Sequence, residues 1–406
     1  LGGATSVERE ARVGQLMGGD PSLLRKINQA AVLRALRAAG RGCSLTDLAR
    51  TTGLSRPTVE GVLDGLARAG LVVETKAAET RAAQSTAADA AGARRLGRPA
   101  RRFRFRAEAG RLLGVEVGAR RISAVLADLA GRRLGEASRG VPPEASAEER
   151  LARIEQAARA LLGEAGQGAP APRAVGVGTP GIVGQDGSVA LCTALPGWTG
   201  LPLGERLREL FGAPVLVEND ANAAVLGERW VGAAAGCDDV VMVLAGLSPG
   251  AGSLIGGRLH RGHGGAAGEI GALHLLGRQA TPERLLATSG TPIDPLDERA
   301  VTRVLAAARA GDPRAGEAVA RLVERLTHDV AALVLALDPE LVVVGGWAAG
   351  LDQVVEPLHR ELERYCLRAP RVVASALGGG AVATGAVRLA LDHLEAELFT
   401  VAEVPD

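Results

Sequence analysis

Apolar positions recur at helical spacing from the first well-patterned segment of the chain. In "LLRKINQAAVLRALRAAG", residues 23–40, Leu24, Ile27, Ala31 and Leu36 share one helical face, and Gly40 ends the run as a helix C-terminus does. In "SLTDLARTTG" the pair Ser44 and Asp47 is close to a capping box, which predicts a second, short helix stopping at Gly53. "LSRPTVEGVLDGLARAG" predicts a third, with Ser55 as N-cap, Pro57 in the first turn and Gly70 at the exit. Ala49, Gly53 and Val59 meet the needs of a helix-turn-helix: a small residue where helices touch, a turn residue tolerating positive φ, and a branched apolar residue locking the second helix.

The period then shortens. "LVVET" (71–75) and the alternating "RFRFR" (102–106) read as strands, the latter with Phe103 and Phe105 turned inward. An Ala-rich stretch lies between them, so residues 71–106 are expected to form a long β-wing. From Arg111 onward, strand-like runs alternate with helical ones, and glycines mark the strand ends. The order runs from "RLLGVEVG" and "RRISAVLADL" through a helix over 148–162, "RAVGVGTPGIV", a further helix and "PVLVEND". It continues through "DVVMVLAGLSPGAGSLIGG", helices across 296–337, and "ELVVVGGW". This is an α/β body behind a winged helix-turn-helix head.

Composition changes the picture little, and charge changes it more. A length of 406 residues suggests two or three domains. No apolar run approaches the roughly 20 residues of a membrane helix, and "LGGATSVERE" lacks the basic-then-apolar order of a secretory signal, so a cytoplasmic location without membrane contact is expected. Cys43, Cys192, Cys237 and Cys366 are too dispersed for a zinc or disulfide framework. The net charge of +1 hides an asymmetry: residues 1–106 hold 19 Lys+Arg against 9 Asp+Glu, leaving 28 against 37 for the rest. A basic head on an acidic body points to a polyanion that meets the head alone. Ser55, Arg56 and Thr58 are the candidate groove contacts of the third helix. In "RRLGRPARRFRFR", Arg98 between Gly97 and Pro99 is the candidate minor-groove residue, with Arg94, Arg95, Arg101 and Arg102 on phosphates. A three-helix bundle engaged in protein contacts is the rival reading of the head.

In "VENDANAAVLGE", residues 217–228, an Asn, a carboxylate and a second Asn stand where an extended run stops and a helical run begins. With the "GRP" wing, "GLSRPTV", "GTPGIV", "ENDANAA", "GEIGA" and the Gly-rich start of the last helix, the chain resembles the ROK family of sugar kinases and sugar-responsive repressors over nearly its whole length. The resemblance implies a two-lobed, actin-like ATPase body with a sugar cleft. It implies a small lobe over 107–220, completed by a helix over 381–398, and a large lobe over 221–380. It assigns sugar contacts to Asn219, Asp220 and Glu269, Asp220 being the general base of the family's kinases and here vestigial. Those kinases open on Asp-x-Gly-Gly-Thr, because phosphate needs free backbone N–H donors, a hydroxyl and an Asp near magnesium. This chain reads "EVGAR", with Glu116, Ala119 and Arg120 departing from that turn, and "AGLSPGAG" replaces the second phosphate loop. The family's His is Ala272, its terminal sugar-contacting Glu is Leu285 with Glu283 nearby, and its zinc cysteines are missing from "LLGRQATPERLLATSG". The expectation is therefore a non-enzymatic regulator with no cofactor and no metal. It would bind operator DNA and a sugar or sugar-phosphate effector, as a homodimer or homotetramer. An active ATP-dependent sugar kinase and a DNA-binding protein with an empty cleft are the alternatives.

Overall fold

Three helices open the described part of the chain, and local chemistry sets their ends. α1 spans Pro21–Ala39, α2 Leu45–Thr52 and α3 Arg56–Arg68. The computed structural model describes residues 21–75, 101–164, 171–245, 249–271, 285–288, 293, 297–346 and 352–399. α2 carries a complete capping box between Ser44 and Asp47, and α3 begins at the Ser55 cap with Pro57 in its first turn. Leu33, Leu36, Leu48, Val59, Leu63 and Leu66 are buried where the three helices meet. Leu24 and Ile27 correct the expected α1 face, being 53% and 45% exposed while Ala30, Val32 and Leu33 face the core. At ~28 Å, the 19-residue α1 is longer than the ~20 Å of the 13-residue α3, so α3 cannot cover its whole face.

A small antiparallel sheet closes this unit, with β3 (Arg102–Phe105) between β2 (Val72–Thr75) and a two-residue β1 (Cys43–Ser44). The pattern gave no sign of β1, which exists only through its pairing with Arg102 and Phe103. Phe103 is buried and Phe105 half-buried. The rest of the expected wing, residues 76–100 with Arg94, Arg95 and Arg98, lies outside the described residues.

The body has two five-stranded sheets. The first is ordered β10-β7-β4-β5-β6, from β4 (Arg111–Val117), β5 (Arg121–Asp128), β6 (Arg133–Gly140), β7 (Ala174–Thr179) and β10 (Val215–Asn219). β4, β7 and β10 run parallel while β5 and β6 are antiparallel additions. Helices α4 (Ala147–Glu164) and α5 (Leu203–Phe211) join its core, together with a short hairpin of β8 (Ile182–Val183) and β9 (Val189–Leu191). The second sheet, β13-β12-β11-β14-β15, comprises β11 (Val240–Leu244), β12 (Gly250–Ile255), β13 (Arg258–His260), β14 (Leu341–Gly345) and β15 (Arg371–Ala374). Its core is shared with α7 (Glu298–Arg309), α8 (Pro313–Leu337) and α9 (Asp352–Tyr365). α6 (Asp220–Val231) packs on both β7 of the first sheet and β11 and β12 of the second.

Residues 110–392 make one unit, and residues 1–109 with 393–406 the other. The final helix α10 (Ala381–Phe399) thus lends its residues from His393 onward to the head's unit. There Glu395 and Arg37 of α1 form an ion pair at 2.5 Å. No described helix is long and apolar enough to cross a membrane.

Candidate functional site

The corner between β10 and α6 gathers the polar residues of the body. Parallel pairing of Asn219 with Thr179 sets two strand ends side by side. Asn219 is the N-cap of α6: its Oδ1 accepts from the N–H groups of Ala221 (2.9 Å) and Asn222 (3.2 Å), and its Nδ2 donates to the Gly181 carbonyl (3.1 Å). Expected as a two-way amide for ligand hydroxyls, Asn219 is instead largely committed to its own scaffold. One Nδ2 hydrogen remains.

Asp220 is the first residue of α6, its Oδ1 accepting from the Ala221 N–H at 2.8 Å. Protein surrounds the carboxyl without sealing it from solvent. Burial raises its pKa from 3.8 to about 6, the nearby Glu269 adding to the rise while backbone hydrogen bonds oppose it. Glu269 is itself pushed up by partial desolvation. It reaches the corner because Gly268 takes φ +90, with its Cα side pressed on Ala251; a Cβ there would lie 1.8 Å from the Ala251 carbonyl oxygen. Two carboxyls of raised pKa in one corner suit proton exchange with, or hydrogen bonding to, sugar hydroxyls.

Three participants were not singled out from the sequence. Glu218 is buried and holds the corner: its Oε1 accepts from the Asn219 N–H (3.1 Å) and Asn222 Nδ2 (2.9 Å), and its Oε2 from Arg261 Nε (2.7 Å). It was visible only as the first letter of "ENDAN". Trp198, fully buried, donates from Nε1 to Thr179 Oγ1 at 2.8 Å and stiffens the neighbouring strand end. Cys192 is near enough that Asp220 and Glu269 both raise its thiol pKa, though burial is the larger cause. His260 and His263 are both exposed, on β13 and the turn after it. Ala272, Glu283 and most of the stretch where the zinc cluster would fall lie outside the described residues, and residues 275–290 contain no cysteine to ligate zinc.

At the first phosphate loop, Gly118 donates to the Arg121 carbonyl (2.8 Å), closing a tight β4–β5 turn. Arg150, fully buried, holds that turn from behind, donating to the carbonyls of Gly118 (2.9 Å), Ala119 (3.1 Å), Pro142 (3.2 Å) and Pro143 (2.8 Å). Arg120 is exposed; Arg121 is the residue that crosses the loop. Its Nη2 lies 3.4 Å from the Gly379 carbonyl, in the glycine turn before α10, and 3.9 Å from Glu116. The Arg121 guanidinium therefore links the β4–β5 turn to the glycine turn before α10. Residues 246–248 of the second loop lie outside the described residues.

In the head, Gly53 takes φ +73 and donates to the Ala49 carbonyl at 2.9 Å, and Val59 is fully buried. Ser55 Oγ accepts from the Thr58 N–H (3.3 Å), which caps the helix, and the Ser55 and Thr58 hydroxyls are hydrogen-bonded to each other at 2.8 Å. Arg56 is exposed beside them. Arg101 and Arg102, expected on phosphates, are engaged within the head: Arg101 pairs with Glu74 (2.9 Å) and lies over Phe103, and Arg102 Nη1 donates to the Gly42 carbonyl (2.8 Å).

Comparison with known proteins follows the same division. The ROK family model matches residues 112–393, and the model of the IclR helix-turn-helix domain matches residues 29–76. A xylose repressor of Caldicellulosiruptor bescii is 24% identical over 374 residues, covering 85% of this chain and 89% of the repressor. A glucokinase of Streptomyces coelicolor is 30% identical over 320 residues, 98% of that enzyme but 69% of this chain. The crystal structure of a ROK family transcriptional regulator, a homologue of the E. coli MLC protein, superposes with a TM-score of 0.64 at 21% identity, covering 93% of this chain and 99% of the regulator. That likeness is one of fold.

Proposed function

We propose, since this chain belongs to the ROK family, that it is a sugar-responsive, sequence-specific DNA-binding repressor of carbohydrate-related genes. The observation that carries the reading is the capped α2–Gly53–α3 helix-turn-helix on the same chain as a kinase-like body. The glucokinase relative is covered almost entirely by 69% of this chain, whereas the xylose repressor is matched across most of both chains. Asp220 and Glu269, with the remaining Nδ2 hydrogen of Asn219, are the groups that would receive a sugar or sugar phosphate. A ligand that favours one arrangement of the body over another would alter the spacing of two heads in a homodimer or homotetramer, and hence their fit to a two-fold operator.

An ATP-dependent kinase is the second reading, favoured by Asp220 and by the glucokinases among the relatives. Against it stand Glu116, Ala119 and the Arg121 guanidinium beside Gly379. The family's zinc does not fit this donor set either, for want of cysteines. A thermal-shift screen of sugars and sugar phosphates, with and without operator DNA, tests the first reading: a ligand that binds the folded state raises the midpoint and lowers operator affinity. Coupled assays with magnesium and ATP test the second. No turnover is expected; a rate of about 1 per second or faster, as kinases commonly show, would make the body an enzyme.

A further inference from the structure

Two residues on the exposed face of α3, Glu60 and Gly61, take no part in its buried packing. The buried face of that helix is Val59, Val62, Leu63 and Leu66, which leaves Arg56, Glu60, Gly61 and Asp64 outward. Gly61 sits in the helix interior, where glycine costs about 1 kcal/mol relative to alanine. Packing does not demand it, since, its chain neighbours and its own helix backbone aside, no described atom comes within 4 Å of where its Cβ would stand. A residue that weakens its own helix and has open space before it points to a partner that approaches the backbone closely.

Glu60 precedes it, and its surroundings are organised. Arg101 grips Glu74 through Nε (3.0 Å) and Nη2 (2.9 Å), and presents Nη1 to Glu60 Oε1 at 3.9 Å. That separation is too long for a hydrogen bond, so the Glu60 lone pairs stay available while a fixed cation offsets the carboxylate charge. The Ser55 and Thr58 hydroxyls bond each other, and Ser55 also caps the helix, so Arg56 and Glu60 are the longer side chains that reach outward from the first two turns. Those turns are the part of a recognition helix that meets base edges in the major groove. A carboxylate only accepts, and the amine donors exposed there are cytosine N4 and adenine N6; adenine sets the acceptor N7 beside its amine and so repels an anion.

We propose that Glu60 reads a cytosine in each operator half-site, with Gly61 admitting the helix backbone close to the bases and Arg101 positioning the carboxylate. The inference rests on the reading of the head as a sequence-specific DNA binder. Selection of duplexes from a random library by the full chain, followed by competition binding, tests both. Wild type is expected to select a motif with one invariant cytosine per half-site, whose replacement by thymine costs roughly 10- to 100-fold in affinity. Glu60→Gln should move that position to adenine, which a side-chain amide reads at N6 and N7, and leave the rest of the motif intact. Gly61→Leu should weaken every operator by about 10-fold or more while the circular dichroism and thermal midpoint of the protein hold or rise. Identical base preferences for wild type and Glu60→Gln, or a uniform tightening on all DNA, would overturn the cytosine reading and leave Glu60 as a repelling charge only. A wild type that selects no motif would instead overturn the sequence-specific head, and the base reading with it.

Discussion

Asp220, placed by our reading in the ligand corner, holds a carboxyl there at a cost to the fold. Its pKa is raised from 3.8 to about 6, so between those values the folded chain holds a proton that the unfolded chain has released. Stability therefore falls as pH rises through that window, and the full cost is present above about pH 6. Asp220→Asn should raise urea-unfolding stability at pH 7.5 by about 1–2 kcal/mol, a figure discounted for partial solvent access, and the gain should vanish below pH 4. The same variant should bind operator normally and lose its response to the effector, which a titration of DNA binding against sugar would read. Arg150 poses the opposite case. Burial lowers its pKa, yet it donates to four carbonyls, sharing that of Pro142 with the Ala145 N–H. Arg150→Met relieves a buried charge but leaves the Gly118, Ala119 and Pro143 carbonyls without this donor, and should destabilise the body by about 2–4 kcal/mol in urea unfolding. Lysine should not rescue it, since one ammonium cannot span the four positions.

Among the elements, the α2–α3 turn depends on two residues that local rules identify and tertiary packing then uses. Gly53 needs its positive φ, and Ser55 supplies an oxygen to the first turn of α3. Gly53→Ala and Ser55→Ala should each cost about 1 kcal/mol, read as a lower thermal midpoint of the head's helical signal. Operator affinity should fall more steeply for Gly53→Ala, which re-aims α3, than the stability loss alone requires. The β10–α6 corner is built on the same plan, with Asn219 capping the helix that carries Asp220. Its second half is different in kind, because Glu269 arrives from a distant loop held down at Gly268.

Across the whole molecule, charge separates two roles: 19 Lys+Arg against 9 Asp+Glu up to residue 106, and 28 against 37 beyond it. Counterion release makes that balance measurable, since each phosphate neutralised contributes about 0.9 to the slope of log affinity against log salt. Replacing Arg94, Arg95 and Arg98 together by alanine should reduce the slope by up to about 3 and weaken operator and random DNA alike, apart from any A·T preference that Arg98 imposes. An unchanged slope would remove the wing from the DNA contact. Arg101→Ala should change the slope by less than one, because its guanidinium is already shared with Glu74 and Glu60.

Read alone, the sequence determined whatever depends on neighbours within a few positions. The capping box at Ser44 and Asp47, the Ser55 cap, the Gly53 turn, the strand alternation at Phe103 and the strand-to-helix corner at Asp220 are all of this kind, because hydrogen bonds of short span and side-chain period act before the chain path is known. Tertiary structure decided which polar groups remain for a partner. Asn219 looks available until Gly181 and its own helix take most of its amide; Glu218 matters through Arg261, 43 positions away; Arg121 meets Gly379 across 258. Leu24 and Ile27 have the right spacing for a core, yet the described residues leave them about half exposed. Such commitments join residues that only the folded path brings within a few ångströms, and the side chain that a distant carbonyl or carboxylate claims is not marked in the local pattern.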